Sequence, residues 1–84
     1  MFDTDAMARP PEQWQQRVRG LLRAELARRD ISYRELVERL ARMGIKESQQ
    51  NIANNLSRGT FTAAFLVQCL EAIGCRTLQL ARDD

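Results

Sequence analysis

Hydrophobic residues recur at helical spacing along most of the chain. From Pro11 to Asp30, apolar side chains return every three or four residues and the opposite face carries arginines, a pattern that predicts a long amphipathic helix. Pro11 suits its first turn, where a backbone N–H donor is not needed. The apolar face of this first helix consists of Trp14, Val18, Leu21, Leu22, either Ala24 or Glu25, and Leu26.

Capping and stop signals mark a second helix. Ser32 and Glu35 have the spacing of a capping box, in which the serine oxygen accepts a hydrogen bond from the glutamate N–H and the carboxylate reaches back to the serine N–H. The second helix is therefore expected to begin at Tyr33. Gly44 suits the left-handed residue that closes a helix. The apolar positions between them are Leu36, Val37, Leu40 and Met43.

Two more short helices are expected after the turn that follows. The third covers 48–57 and has only a thin apolar seam, made of Ile52, Ala53 and Leu56. The fourth covers 62–73, is capped by Thr60 or Thr62, and stops at Gly74.

The residues after the fourth helix alternate weakly between apolar and polar side chains. This pattern predicts a short strand over 75–80, which would have to lie against the helices, pair with another segment, or pair with a second copy of the chain. The predicted organisation is an all-α, four-helix domain over 11–74. A flexible N-terminus over 1–10 precedes it, and the C-terminal strand and tail over 75–84 follow it.

The third helix is unusually rich in amide side chains. With its apolar seam facing inward, the helical rotation per residue places Gln50, Asn51 and Asn54 on the outer face and Asn55 at its edge. Because carboxamides donate and accept at once, they can form bidentate pairs with adenine in the DNA major groove. These four residues are the predicted base readers. A structural role is equally open, with an asparagine tying down a turn through bonds to the backbone.

Composition and charge restrict the class of protein. Eighty-four residues, 44% of them hydrophobic and 29% charged, indicate a single globular domain. The net charge is only +2, but residues 9–46 hold ten Lys or Arg against five acids. Such a basic region suits a polyanion such as nucleic acid. Arginines that pair with glutamates along the helices would explain the same charges without a partner.

The chain offers little for catalysis. It has no histidine, no nucleophile–base pair and no glycine-rich phosphate loop, so neither an enzymatic activity nor a cofactor is expected. Cys69 and Cys75 lack the number and spacing of a zinc site and are expected to be buried apolar residues, with no metal bound. No apolar run approaches the ~20 residues of a membrane span and no signal peptide is evident, so a cytoplasmic protein is expected.

The order of elements resembles known DNA-binding domains. Residues 31–74 resemble the phage-repressor-like helix-turn-helix domains, on the strength of Leu56-Ser57-Arg58-Gly59, Thr60 to Thr62, and Leu70 to Gly74. More closely, Trp14 to Leu80 resembles a small bacterial family catalogued as a domain of unknown function, with its Asn-x-x-Asn-x-Leu-Ser-Arg-Gly-x-Phe motif at 51–61. The turn at 44–47 is longer than in the typical repressor pattern, which leaves the docking of the recognition helix open.

The helix-turn-helix resemblance also implies where DNA phosphates would lie. In that pattern the start of the second helix faces a phosphate, and the contacts implied or expected in this chain are made by Tyr33, Arg34, Lys46, Arg58 and Thr60. Two of these residues also have explanations that involve no DNA. The Tyr33 ring could simply pack over the first helix, and Arg58 could simply neutralise the C-terminus of the third.

These observations lead to one main hypothesis and one rival. The main hypothesis is a homodimeric regulator of transcription that binds duplex DNA sequence-specifically with helix 48–57. Its dimer interface would be helix 11–30 or strand 75–80. The rival is a protein-interaction module that keeps the helix-turn-helix fold without binding DNA.

Overall fold

A computed structural model describes residues 11–80, and these residues form four α-helices. The helices are α1 (Pro11–Arg28), α2 (Tyr33–Arg42), α3 (Gln49–Arg58) and α4 (Ala63–Ala72). The all-α, four-helix prediction is confirmed. The predicted flexible N-terminus, 1–10, lies outside the described residues.

Each of the three short helices begins at a hydroxyl side chain. The side-chain oxygens of Ser32, Ser48 and Thr62 accept hydrogen bonds of 3.0–3.1 Å from the backbone N–H three residues further on. The second half of the predicted capping box is a bond from the Ser32 N–H to the Glu35 carboxylate, and another contact replaces it. The carboxylate accepts a hydrogen bond from Arg39, one turn further along α2. A cap contributes about 1 kcal/mol, and helices of ten residues are marginal alone, so packing must supply the remaining stability.

The helices form one core in which α3 and α4 each pack against both α1 and α2. Its buried hydrophobic residues are Leu22, Leu26, Ile31, Leu36, Leu40, Ile52, Leu56, Phe65, Cys69 and Ile73. Burial of Cys69 is as expected, whereas Cys75 is only half-buried. Trp14 and Met43, which the periodicity places on apolar faces, are instead 47% and 42% exposed. They lie near the ends of α1 and α2, where less of the domain covers them.

The expected C-terminal strand is not formed. Residues 75–80 have no regular secondary structure. The segment is held to the helices by other bonds: the Cys75 N–H donates to the Leu70 carbonyl at 2.8 Å, and the Arg17 guanidinium donates to the Leu80 carbonyl. The physical reason is that a single strand has no neighbour to satisfy its backbone groups, and the described chain contains no second one.

Helix α1 ends two residues earlier than the periodicity predicts. Asp30 has a φ of 56°, in the left-handed region, so the helix cannot extend through it. The chain reverses there, and the Ile31 N–H donates to the Leu26 carbonyl at 2.9 Å. This turn places Ile31 in the core. The other helix ends differ from expectation by a residue or so.

Candidate nucleic-acid interface

Helix α3 presents one apolar face to the core and one amide face to solvent. Ile52 and Leu56 are completely buried. Gln50, Asn51 and Asn54 are exposed, as the wheel predicts. Three of the four predicted base readers therefore share an accessible surface.

Two of these amides are bonded to each other. Gln50 Nε2 donates to Asn54 Oδ1 at 3.3 Å, across one turn of α3. The bond uses one of two hydrogens on Gln50 and one lone pair on Asn54. The Gln50 carbonyl and the Asn54 NH₂ group remain available. Within residues 11–80, no asparagine side chain of α3 bonds to the backbone, so the tethering alternative finds no support there.

Asn55 has different surroundings from the other three amides. It is half-buried and lines a groove of about 410 Å³ between α3, the connection that follows it and the first half of α4. We call this the Glu47 groove. Its polar lining residues are Glu47, Asn55, Thr60, Thr62 and Gln68.

The predicted phosphate contacts divide into four exposed residues and one that packs inward. Arg34, Lys46, Arg58 and Thr60 are exposed. In the described part of the chain, none of the three cations forms an ion pair. Tyr33 is half-buried against the core, which agrees with its packing role.

Half of the basic residues counted in 9–46 are used inside the domain. Arg17 donates to the Leu80 carbonyl and Arg19 to the Ser57 carbonyl. The others in this group are Arg28 and Arg29, paired with Glu25, and Arg39, paired with Glu35 and bonded to the Ala72 carbonyl. The i,i+4 spacing of two glutamate–arginine pairs is visible in the sequence, whereas the bonds to distant carbonyls are not.

Glu25, which the periodicity offers as the alternative to Ala24 on the apolar face of α1, is a buried charged residue. It is 5% exposed and contacts both Arg28 and Arg29. The hydrogen bond from Arg29 lowers the pKa of the Glu25 carboxyl. Burial opposes this effect, and the positive charges of the two arginines add to it. A buried carboxylate is thus stabilised in its ionised form near the C-terminus of α1.

Glu47 lies directly before Ser48, the residue that caps α3. One of its carboxylate oxygens is shielded from solvent and has no hydrogen-bond partner among the described residues. The negative charge of Glu47 also acts on a buried side chain of the core, Cys69. Burial raises the pKa of the Cys69 thiol to about 12, and the negative charge of Glu47 adds to the shift. The spacing of residues along the chain gave no indication of the groove that Glu47 lines.

Residues 11–80 contain no candidate metal site and no candidate membrane-spanning helix. No three His, Cys, Asp or Glu residues there converge closely enough to hold a metal ion. None of the described helices combines the length and hydrophobicity that crossing a bilayer requires.

The described chain is thus a four-helix domain that exposes an amide-bearing helix beside three cations without ion pairs. It belongs to the family described as a domain of unknown function, DUF6471, which matches residues 14–78. This confirms the resemblance to a family of unknown function. No curated protein and no solved structure matches the chain.

Proposed function

We propose that the protein binds duplex DNA sequence-specifically, with α2, the connection after it and α3 acting as a helix-turn-helix. The observation that carries the proposal is the exposed amide face of α3, formed by Gln50, Asn51 and Asn54. Ordinary solvated helix faces are rich in Lys and Glu, which favour the helix, whereas asparagine does not. An amide face can form specific hydrogen bonds with a surface that has its own donors and acceptors, such as the major groove of DNA.

The cations around α3 support the same proposal. Lys46 precedes the helix, Arg58 ends it, and Arg34 lies in the first turn of α2. Phosphate contacts position a protein on DNA, and base contacts specify the sequence. In this arrangement the three cations and the Thr60 hydroxyl contact phosphates, while Gln50, Asn51 and Asn54 read bases.

The bond between Gln50 and Asn54 favours recognition of one base by a fixed pair of side chains. Ordering a long amide side chain on binding costs conformational entropy, and the existing bond has already reduced that freedom. The remaining Gln50 carbonyl and Asn54 NH₂ group form an acceptor and a donor on the outer face. Adenine offers the complementary pattern, with N6–H₂ as donor and N7 as acceptor.

A homodimer that regulates transcription is part of this proposal. One small module buries roughly 600–1,000 Å² of protein surface on DNA, which rarely gives high specific affinity alone. The proposed interface is α1, where Trp14 is 47% exposed, or segment 75–80, which could pair with its copy in a second chain. Sedimentation equilibrium on the full chain measures this directly, and a monomer at high micromolar concentration would eliminate the dimer.

A second function is favoured by a different observation. Within residues 11–80, five arginines bond inside the domain and three of them are paired with glutamates, so fewer cationic donors are free for phosphates than the sequence suggests. A protein-interaction module, in which the amides face a protein partner, needs fewer free cationic donors than a DNA-binding protein does.

Binding to duplex DNA at two salt concentrations separates the two functions. Fluorescence anisotropy of a labelled random-sequence duplex should show affinity that falls steeply with salt, because bound phosphates release counterions. Arg34→Ala and Arg58→Ala should each reduce the slope of log K against log salt by about one. The matched control is Arg76→Ala, an exposed arginine beyond the far end of α4. Absence of binding at low salt would reject the DNA proposal and favour the interaction module.

A further inference from the structure

The Glu47 groove holds a cluster of polar groups that, apart from Thr60, the proposed DNA contacts do not use. It has a volume of about 410 Å³, within the range of small-molecule sites. Its polar groups are one carboxylate, two amides and two hydroxyls. No basic side chain is among the residues that line it. The groove therefore carries a net negative charge.

The carboxylate in this groove lacks a donor. Glu47 forms no hydrogen bond and no ion pair within residues 11–80. One of its oxygens is sealed from solvent, so a ligand can reach only the other one. A bound cation that donates N–H bonds would pair with that accessible oxygen.

One wall of the groove is aromatic. Phe61 is half-buried and forms a tilted pair with Phe65, with ring centroids 5.3 Å apart. The face of an aromatic ring attracts a cation through its quadrupole, and guanidinium groups stack on such rings. An anion beside an aromatic ring therefore selects for an organic cation with an apolar stem rather than for a compact, strongly hydrated ion.

We infer that the Glu47 groove binds a small organic cation that carries a guanidinium or ammonium group. The Glu47 carboxylate accepts N–H bonds from the cation, Phe61 covers its apolar stem, and the amides of Asn55 and Gln68 border it. The same chemistry is offered by a free small molecule and by an arginine side chain of another protein. The inference does not depend on DNA binding.

A titration of the isotopically labelled full chain tests the inference, with two probes of similar shape. N-butylguanidinium is charged, whereas N-butylurea is neutral. Saturable NMR shifts are expected for the charged probe at Glu47, at Phe61 and at the side-chain amides of Asn55 and Gln68. For so few atoms the expected Kd is on the order of millimolar. Binding of N-butylurea should be about tenfold weaker or more.

Two matched variants assign the charge to one residue. Glu47→Gln should weaken N-butylguanidinium binding about tenfold, because it removes the charged acceptor and keeps the shape. Glu38→Gln removes an exposed charge on α2 and should leave binding unchanged. The spectrum of each variant reports whether it is folded. Phe61→Leu should weaken the charged probe while retaining an apolar wall.

Three results would overturn the inference: equal binding of the two probes, equal effects of Glu47→Gln and Glu38→Gln, or no saturable shift at the groove. A third probe, acetyl-Gly-Arg-Gly-amide, separates the two sources of the cation. Tighter binding of this peptide than of N-butylguanidinium assigns the groove to a protein side chain, and weaker binding assigns it to a free small molecule.

Discussion

Gly59, which closes α3, lies directly against the backbone of Gln15 in α1. A Cβ atom added to Gly59 would fall on the Gln15 carbonyl group, 2.8 Å from its carbon. Gly59 also has a φ of 69°, in the left-handed region where other residues are strained. Next to this contact, the Arg19 guanidinium donates to the Ser57 carbonyl. The C-terminal end of the amide-bearing helix is therefore held directly against α1.

This contact predicts that Gly59→Ala destabilises the protein more than a left-handed backbone alone explains. The matched control is Gly44→Ala, because Gly44 has a φ of 82° but has open space around its Cβ direction. Gly44→Ala should cost about 1 kcal/mol, and Gly59→Ala about 1–3 kcal/mol more, since α1 or α3 must shift. Urea denaturation measures both. Equal losses would show that the close approach to Gln15 carries no energy.

The pair of Glu25 with Arg29 predicts an acid-dependent stability. The pKa of Glu25 is lowered in the folded state, so its stabilising effect is fully present above the unfolded value, near 4.5, and is lost as pH falls through the lower folded value. Glu25→Gln should therefore lower the melting temperature at pH 7 and reduce its dependence on pH below about 4.5.

Glu38→Gln is the control for Glu25→Gln, because Glu38 is exposed. Melting temperatures measured from pH 7 to pH 2 for the wild type and both variants provide the test. The assignment to Glu25 is wrong if Glu25→Gln keeps the acid dependence of the wild type.

The amide face predicts a change of sequence preference without a change of stability. Gln50→Ala and Asn54→Ala should each relax preference at one or two positions of a selected DNA site, by about 1–3 kcal/mol of discrimination. Because both side chains are exposed, the free energy of unfolding should change by less than about 0.5 kcal/mol. Binding to a panel of single-base site variants gives the first quantity, and urea denaturation the second.

The double variant of Gln50 and Asn54 tests whether the two amides act together. If they read one base as a bonded pair, the double variant should lose little more than either single variant. Glu71→Ala, on an exposed position of α4, is the control. A loss of stability above about 1 kcal/mol with preference intact would make the amides structural.

The two cysteines predict unequal reactivity. Because burial raises the pKa of the Cys69 thiol to about 12, the thiol is almost entirely protonated at pH 8. The thiol is also inaccessible, because the residue is completely buried. Cys75 is half-buried, so iodoacetamide should modify Cys75 first, and mass spectrometry of the digested protein measures the order. Comparable rates in the native protein would contradict the burial of Cys69, and comparable rates in urea are expected.

The sequence by itself determined the four helices and the amide face of α3. The caps at Ser32, Ser48 and Thr62 and the stops at Gly44, Gly59 and Gly74 involve bonds between residues three to five positions apart. Such signals are local and do not depend on how the helices pack. The exposure of Gln50, Asn51 and Asn54 follows equally from helical rotation once Ile52 and Leu56 face the core.

Only the tertiary structure decided the features that join distant segments. It left 75–80 without a strand partner, brought Gly59 onto Gln15, and enclosed the Glu47 groove between α3 and α4. It also bonded Arg17 and Arg19 to carbonyl groups dozens of residues away, which occupies N–H donors that the sequence leaves open to a polyanion. The physical reason is that these contacts depend on where helix ends meet in space, and the spacing of residues along the chain does not contain that information.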